Sequence, residues 1–249
     1  FVSLLLLSAI LNFVTGLKIY QSDLKRQKLW LYTGVIINIC ILCFFKYCNF
    51  FIDSFTALTS SLGFESHLST LQIILPIGIS FYTFHGLSYI FDIYNKKVEP
   101  TPKLVDYTLF TSFFPLLVAG PIERATNLLP QIKAERQFDR QKAVDGCRQI
   151  LWGLFKKVVI ADNCARYVDL VYAQHGVYSS VSLVIAMFLF AIQIYADFSG
   201  YTDIALGTAR LLGFELLQNF RFPYFAQNMA ELWRRWHISL TTWFHSIGR

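Results

Sequence analysis

Residues 177–195 read VYSSVSLVIAMFLFAIQIY, a run without one charged side chain. Crossing the hydrocarbon core of a bilayer takes about 20 apolar residues in a helix. This stretch is therefore predicted to span a membrane. It runs straight into Asp197-Phe198-Ser199-Gly200-Tyr201-Thr202-Asp203, and an apolar run resumes from Ile204 to Leu217 with Arg210 inside it. The pattern predicts two helices with a polar break between them. Two readings of that break stand side by side. The carboxylates of Asp197 and Asp203 cap the second helix, or the segment forms the polar wall of a central cavity.

Composition extends the membrane reading to the whole chain. Of 249 residues 55% are hydrophobic and only 15% charged, with a mean hydropathy of +0.45. Soluble domains carry roughly 25% charged residues. The fold class expected is all-α: a polytopic membrane helical bundle, one domain over residues 1–249. The formal charge of +6 comes from Lys and Arg gathered between apolar runs, the pattern of cytoplasmic membrane loops. A nucleic-acid partner is not expected, since no stacking-plus-basic groove pattern occurs. The chain begins at Phe1 inside an apolar run and ends at Arg249 soon after a charged cluster. The expectation is a domain truncated at both ends.

Further spans are predicted at 1–20, 29–52 and 71–94. The loop with Lys18, Lys25, Arg26 and Lys28 is placed in the cytoplasm, and the loop 53–70 outside, because it holds Asp53, Glu65 and His67 but no Lys or Arg. The apolar run 104–121 is interrupted by Pro115 and by Gly120-Pro121, and proline removes a helical donor. The basic segment 122–148 follows. The run is expected to re-enter and leave on one face, backbone at that depth being tolerated only inside protein or against water. Residues 147–172 alternate charge and apolar residues at helical spacing and read as an interfacial amphipathic helix. Cys40, Cys43, Cys48, Cys147 and Cys164 read as small packing residues. No metal site is expected, because the thiols lie outside polar loops.

The chemistry-bearing stretch is Trp233-Arg234-Arg235-Trp236-His237. Ionisable groups near a spanning segment usually face a cavity or a partner, and His alone among these trades a proton near neutral pH. On a helical period Trp233, Trp236, His237 and Leu240 share one face, while Glu231 and Arg235 are placed to pair. The alternative is an interfacial belt at the headgroups. His245 is rotated off that face, and His67 and His175 lie in loops. His85, within a span, reads as a core histidine or as part of a wet cavity.

Five runs together carry a resemblance: Leu75-Pro76-Ile77-Gly78-Ile79-Ser80-Phe81-Tyr82-Thr83-Phe84, Phe113-Phe114-Pro115-Leu116-Leu117-Val118-Ala119-Gly120-Pro121-Ile122, Gly153-Leu154-Phe155-Lys156-Lys157, Tyr195-Ala196-Asp197-Phe198-Ser199-Gly200-Tyr201-Thr202-Asp203-Ile204-Ala205, and Trp233-Arg234-Arg235-Trp236-His237-Ile238-Ser239-Leu240. In order, they resemble the membrane-bound O-acyltransferase (MBOAT) family, in the bacterial branch of the alginate O-acetylation and D-alanyl-transfer membrane proteins. The resemblance implies a ring of helices around a thinned centre, in the bacterial cytoplasmic (inner) membrane, with multiple passes through lipid. It implies transfer of an acyl group, acetyl above all, from a cytoplasmic thioester donor (acetyl-CoA or an acyl carrier) to hydroxyls of an exported polysaccharide. No bound cofactor is implied. A periplasmic acyl-accepting partner protein is. His237 matches the first of two site histidines; the second falls beyond Arg249, so this segment alone is expected to be inactive. Trp233, Arg234, Arg235, Trp236, Asp197, Tyr201 and His85 are the expected substrate or cavity residues. A transporter or channel, built on broken helices, and a non-catalytic homologue remain the rival readings.

Overall fold

A computed structural model describes residues 2–63 and 73–247. All regular structure among the described residues is helical. Among the described residues, three helices are long and apolar enough to cross a membrane: α1 (Val2–Gln21), α2 (Leu24–Ser61) and α8 (Ser180–Leu211). At 38 residues α2 is about 57 Å long, nearly twice the hydrocarbon thickness. It therefore covers the predicted span 29–52 and much of the loop expected at 53–70. Glu65 and His67 of that loop lie outside the described residues. The chain forms two compact units, Phe1–Ser112 with Arg124–Leu129, and Phe113–Glu123 with Pro130–Arg249.

In the first unit α1, α2, α3 (Ile79–Tyr94) and α4 (Leu104–Ser112) pack on one another. The span expected at 71–94 is shorter as a helix. It starts at Ile79, after Gly78 in the left-handed region at φ 78°, and residues 71 and 72 lie outside the described residues. Side-chain amides join α1 to α2: Asn12 donates to Asn38 Oδ1 at 3.1 Å and Asn38 to Asn12 Oδ1 at 2.7 Å. Such polar pairs hold helices together where lipid offers no hydrophobic drive. The rings of Tyr89 and Tyr107 meet at 4.4 Å, tilted by 44°. Asp92, fully buried, accepts from Arg124 at 2.9 Å.

The second unit opens where α4 stops. Pro115 heads a short 3-10 turn, Phe114–Leu116, so the interruption expected in 104–121 is present. α5 (Ala125–Lys133) carries the chain on, and α6 (Arg140–Leu154) starts where Asp139 accepts from the N–H groups of Gln141 and Lys142. A π-helical turn, Phe155–Ala161, and α7 (Asp162–Ala173) continue the same rod. In the segment expected at 147–172 as an interfacial amphipathic helix, the apolar side chains of residues 151–159 face outward, as such a helix presents them to lipid, whereas in α7 Val168 and Val171 are buried and Arg166 and Asp169 exposed. Leu151, Phe155, Val158 and Val159 are exposed, whereas Gly146, Gly153 and Lys156 are buried against α8. An apolar face turned outward suits a lipid surround, where a polar group is cheaper inside the protein.

α6 and α8 approach closely through glycine. A Cβ on Gly153 would lie 2.6 Å from the Gly200 carbonyl oxygen, and one on Gly207 would lie 2.5 Å from that of Gly146. Each glycine pair is spaced by two turns and so shares one helix face.

The two helices expected on either side of 197–203 are one. α8 runs unbroken from Ser180 to Leu211, with Asp197 and Asp203 inside it, and neither carboxylate caps anything. Both are matched by lysines of the α6–α7 rod, which removes the reason for a break. The helix ends in a Schellman turn: Gly213 (φ 80°) donates to Arg210 O at 3.0 Å and Phe214 to Ala209 O at 2.9 Å. The free cysteines do not pack the interior as expected: Cys40, Cys43 and Cys147 are exposed.

Candidate active site around His237

The second unit builds a site at the junction of α9 (Met229–Arg235) and α10 (Ile238–Ile247). Asn228 starts α9 by accepting from Glu231 N–H at 2.9 Å, and Glu231 in turn accepts from Gln227 N–H at 2.9 Å. Glu231 also pairs with Arg235, as the spacing predicted. The helix then stops. Trp236 is extended (φ −105°, ψ 130°) and His237 is left-handed, at φ 43°. Trp233, Trp236 and His237 therefore do not share a helix face, contrary to the sequence expectation.

Asn219 is the cause. Continuing α9 would send the Ile238 N–H to a carbonyl one turn back. Instead it donates to the Asn219 carbonyl at 2.9 Å. Asn219 Oδ1 accepts the Ser239 hydroxyl at 2.6 Å and the Ser239 N–H at 3.4 Å. Ser239 Oγ accepts the Ile122 N–H at 2.9 Å, and Arg221 N–H donates to Arg235 O at 3.0 Å. These bonds hold a conformation that costs a non-glycine residue about 1–2 kcal/mol. The His237 carbonyl then begins α10 by accepting from Thr241 N–H at 3.1 Å.

His237 is half-buried, and its ring meets Phe198 edge-on at 4.8 Å. Its Nε2 has no hydrogen-bond partner among the described residues. Burial pulls its pKa down to about 4, because a charged imidazolium loses hydration there. At neutral pH the ring is uncharged, with a ring nitrogen free to take a proton. A strained, over-determined residue of this kind is a functional-site candidate.

The other expected residues fall in varied places. Trp236 joins an aromatic cluster with Phe220 at 5.0 Å and Tyr195 at 6.3 Å. Arg234 is exposed and makes no ion pair among the described residues, whereas Arg235 is tied to Glu231. Trp233 and Tyr201 are exposed. Asp197 pairs with Lys157 at 2.7 Å, and Lys157 also donates to Asp162 at 2.8 Å. Those two carboxylates, Asp162 first, raise the lysine's pKa. His85 belongs to the first unit, fully buried, with its ring 5.6 Å from Phe110.

Comparison with known proteins is decisive about ancestry. The model of the membrane-bound O-acyltransferase family matches residues 29–246. The chain belongs to that family. A probable alginate O-acetylase AlgI of Azotobacter vinelandii is 40% identical over 98% of this chain and 48% of its own length. A peptidoglycan O-acetyltransferase of Helicobacter pylori is 35% identical over 97% of this chain and 50% of its own length. A teichoic acid D-alanyltransferase of Bacillus subtilis is 26% identical over 72% and 46%. The chain spans about half the length of the curated relatives it matches. It is an all-α membrane protein of the acyltransferase family.

In this MBOAT chain, a second group of polar residues joins Ser199 and Asp203, on the segment that the sequence offered as a cavity wall, to Gln149, Lys156 and Asn219, which it did not single out as site residues. Lys156, at the π turn, donates to Ser199 Oγ at 3.0 Å and pairs with Asp203, which also accepts from Gln149 at 2.9 Å. They line a cavity of about 300 Å³ that also reaches Asn219 and Phe220. The available signal was two opposite charges in neighbouring apolar segments, which in lipid tend to find each other. Asn219 carried no local signal. Removing one partner of a buried ion pair costs roughly 3–5 kcal/mol. Lys156→Met should therefore lower thermal stability markedly in detergent, and adding Asp203→Asn should recover part of the loss. A double variant no better than the single one would show that the pair does not form.

Proposed function

We propose that the protein is a multi-pass inner-membrane O-acetyltransferase that moves an acetyl group from a thioester donor to hydroxyls of an exported polysaccharide. Family membership supports the reaction class, and the relatives named for alginate and peptidoglycan acetylation support a polysaccharide acceptor. The observation that carries the reading is His237: uncharged, half-buried, bent into the left-handed region, with Nε2 unbonded among the described residues.

His237 Nε2 takes the proton as the acceptor hydroxyl oxygen attacks the thioester carbonyl carbon. The tetrahedral intermediate collapses, the carbon–sulfur bond breaks, and the departing sulfur takes the proton from the imidazolium. An acetyl ester and a free thiol result. The oxyanion needs a donor, worth about 3–4 kcal/mol. Arg234 is the candidate because Arg235 is held by Glu231. A periplasmic partner protein, receiving or passing on the acetyl group, completes the expected route.

The test is acetyl transfer to a polysaccharide by full-length protein in vesicles, measured against solute flux. Transfer without flux supports the reading, and flux without transfer makes the protein a transporter. The pH profile gives a second check. A proton acceptor works unprotonated, and lowering its pKa extends the unprotonated form to lower pH. kcat/KM should hold steady from pH 7 to about 5 and halve near about pH 4. An acid limb centred near 6.5, the ordinary histidine value, would remove His237 as the buried base.

A further inference from the structure

We propose that the basic cavity between the start of α6 and the end of α8 seats the phosphate of an anionic phospholipid, with an acyl chain lying along the outer face of α6. The cavity, of about 760 Å³, is lined by Arg136, Arg140, Lys142 and Arg210 and by two carboxylates, Glu135 and Asp139. Several of these groups are already engaged. Lys142 pairs with Glu215 at 2.7 Å, and Asp139 accepts from the N–H groups of Gln141 and Lys142. The Arg136 guanidinium lies 4.4 Å from the centre of the Phe214 ring and donates to Gln131 O at 3.0 Å. Arg140 and Arg210 form no ion pair among the described residues. Two unmatched guanidinium forks on one cavity suit a phosphate diester, whose paired oxygens accept from such forks.

The adjoining groove says what carries that phosphate. Phe138 and Arg140 also line a second hollow, of about 430 Å³, with Ala143, Val144, Cys147 and Leu151. Arg148, also on its lining, is matched by Asp145 at 3.2 Å. Positions 140, 144, 147 and 151 share one face of α6. From Arg140 to Leu151 that face runs about 16 Å, close to the hydrocarbon depth of one leaflet, about 15 Å. Phe138 is 81% exposed and Leu151 69%. A free phosphate or a nucleotide would leave this apolar groove wet, whereas a lipid fills both hollows at once. α8 is long and apolar enough to cross a membrane and carries Arg210 in its last turn, which sets the cavity at a membrane surface. The basic residues gathered there mark the cytoplasmic side, where anionic headgroups are drawn to basic pockets. The bound lipid ties residues 134–139, the non-helical link from α5 to α6, to the end of α8. The site needs only that α8 lies in a membrane, and it stands whether or not His237 is the base.

Full-length protein in detergent is titrated with phosphatidylglycerol, with phosphatidylcholine of the same chains, and with glycerol 3-phosphate as a headgroup without chains. Native mass spectrometry reads the affinity of the first copy bound. Phosphatidylglycerol is expected to bind at least tenfold more tightly than either control. Arg140→Gln combined with Arg210→Gln should weaken phosphatidylglycerol tenfold or more and leave phosphatidylcholine unchanged. Lys25→Gln combined with Arg26→Gln removes two exposed charges elsewhere and should keep wild-type affinity. Val144→Ser combined with Leu151→Ser strips the groove's apolar wall while keeping every charge, and a threefold or greater loss is expected; this variant carries the test if the arginine one does not fold. The proposal is overturned if phosphatidylcholine binds as tightly as phosphatidylglycerol, which would make the lipid an ordinary neighbour. It is equally overturned if glycerol 3-phosphate matches the lipid, which would make the cavity a soluble-anion site. Wild-type affinity in the arginine or groove variant, or an equal loss in the Lys25 and Arg26 variant, would also sink it.

Discussion

His237→Ala is expected to lower acetyl transfer by roughly 10²–10⁴-fold, the contribution of a positioned general base, in a protein that still folds. Folding is expected to survive because the turn is held by backbone and side-chain bonds from Asn219 to Ile238 and Ser239, not by the imidazole. His237→Gly sharpens the test. Glycine adopts φ 43° without the penalty a side chain brings, so this variant should melt no lower than the alanine one and yet be equally inactive. Initial rates with acetyl donor and polysaccharide, set beside melting curves of the same preparations, separate the two effects. Rates within a few-fold of wild type in both variants would place the chemistry elsewhere.

Gly153→Val should abolish the folded second unit. In an ordinary exposed helix, replacing glycine adds about 1 kcal/mol of helix propensity when the newcomer is alanine, so the expectation runs against the usual sign. Here the new Cβ would stand 2.6 Å from the Gly200 oxygen and 2.9 Å from the Ile204 nitrogen. Both are backbone atoms and cannot rotate aside. Overpacking by a single methylene costs about 1–3 kcal/mol, and valine brings two more carbons than alanine. The damage also reaches the site, since α6 and the π turn carry Gln149 and Lys156 while α8 carries Phe198 and Asp203. Gly176→Ala is the control, with nothing within 4 Å of its Cβ. Size-exclusion profiles in detergent should show Gly153→Val aggregated and Gly176→Ala monodisperse. A monodisperse Gly153→Val with a wild-type melting point would mean the helices do not touch there.

Much of the architecture was legible from local composition. A run such as 177–195 has no charged group and length enough to cross lipid, so its backbone is satisfied there as a helix, which runs from Ser180. The Glu231–Arg235 pair was legible for the same local reason, one turn of helix. Which side of the α6–α7 rod packs on α8 was not. Periodicity locates two faces but does not say which one meets protein: Gly146, Gly153 and Lys156 are buried there, and so are Val168 and Val171. The supposed break at 197–203 failed similarly: two carboxylates in an apolar run look like an end until Lys156 and Lys157 are seen to match them.

The amino-acid sequence by itself determined that this is a helical membrane protein of the acyltransferase family, and it pointed to position 237 as the candidate for the reacting imidazole. The helical membrane character follows from uncharged runs long enough to cross, the family from its likeness to the five motif runs, and the candidate imidazole from that likeness and from a proton-trading side chain among cations and indoles. Tertiary structure alone decided the shape of that site. The helix through Trp236 and His237 breaks because Asn219, distant in sequence, captures the Ile238 N–H and the Ser239 hydroxyl. Competition between a helical hydrogen bond and one from another segment is settled only when the two segments meet.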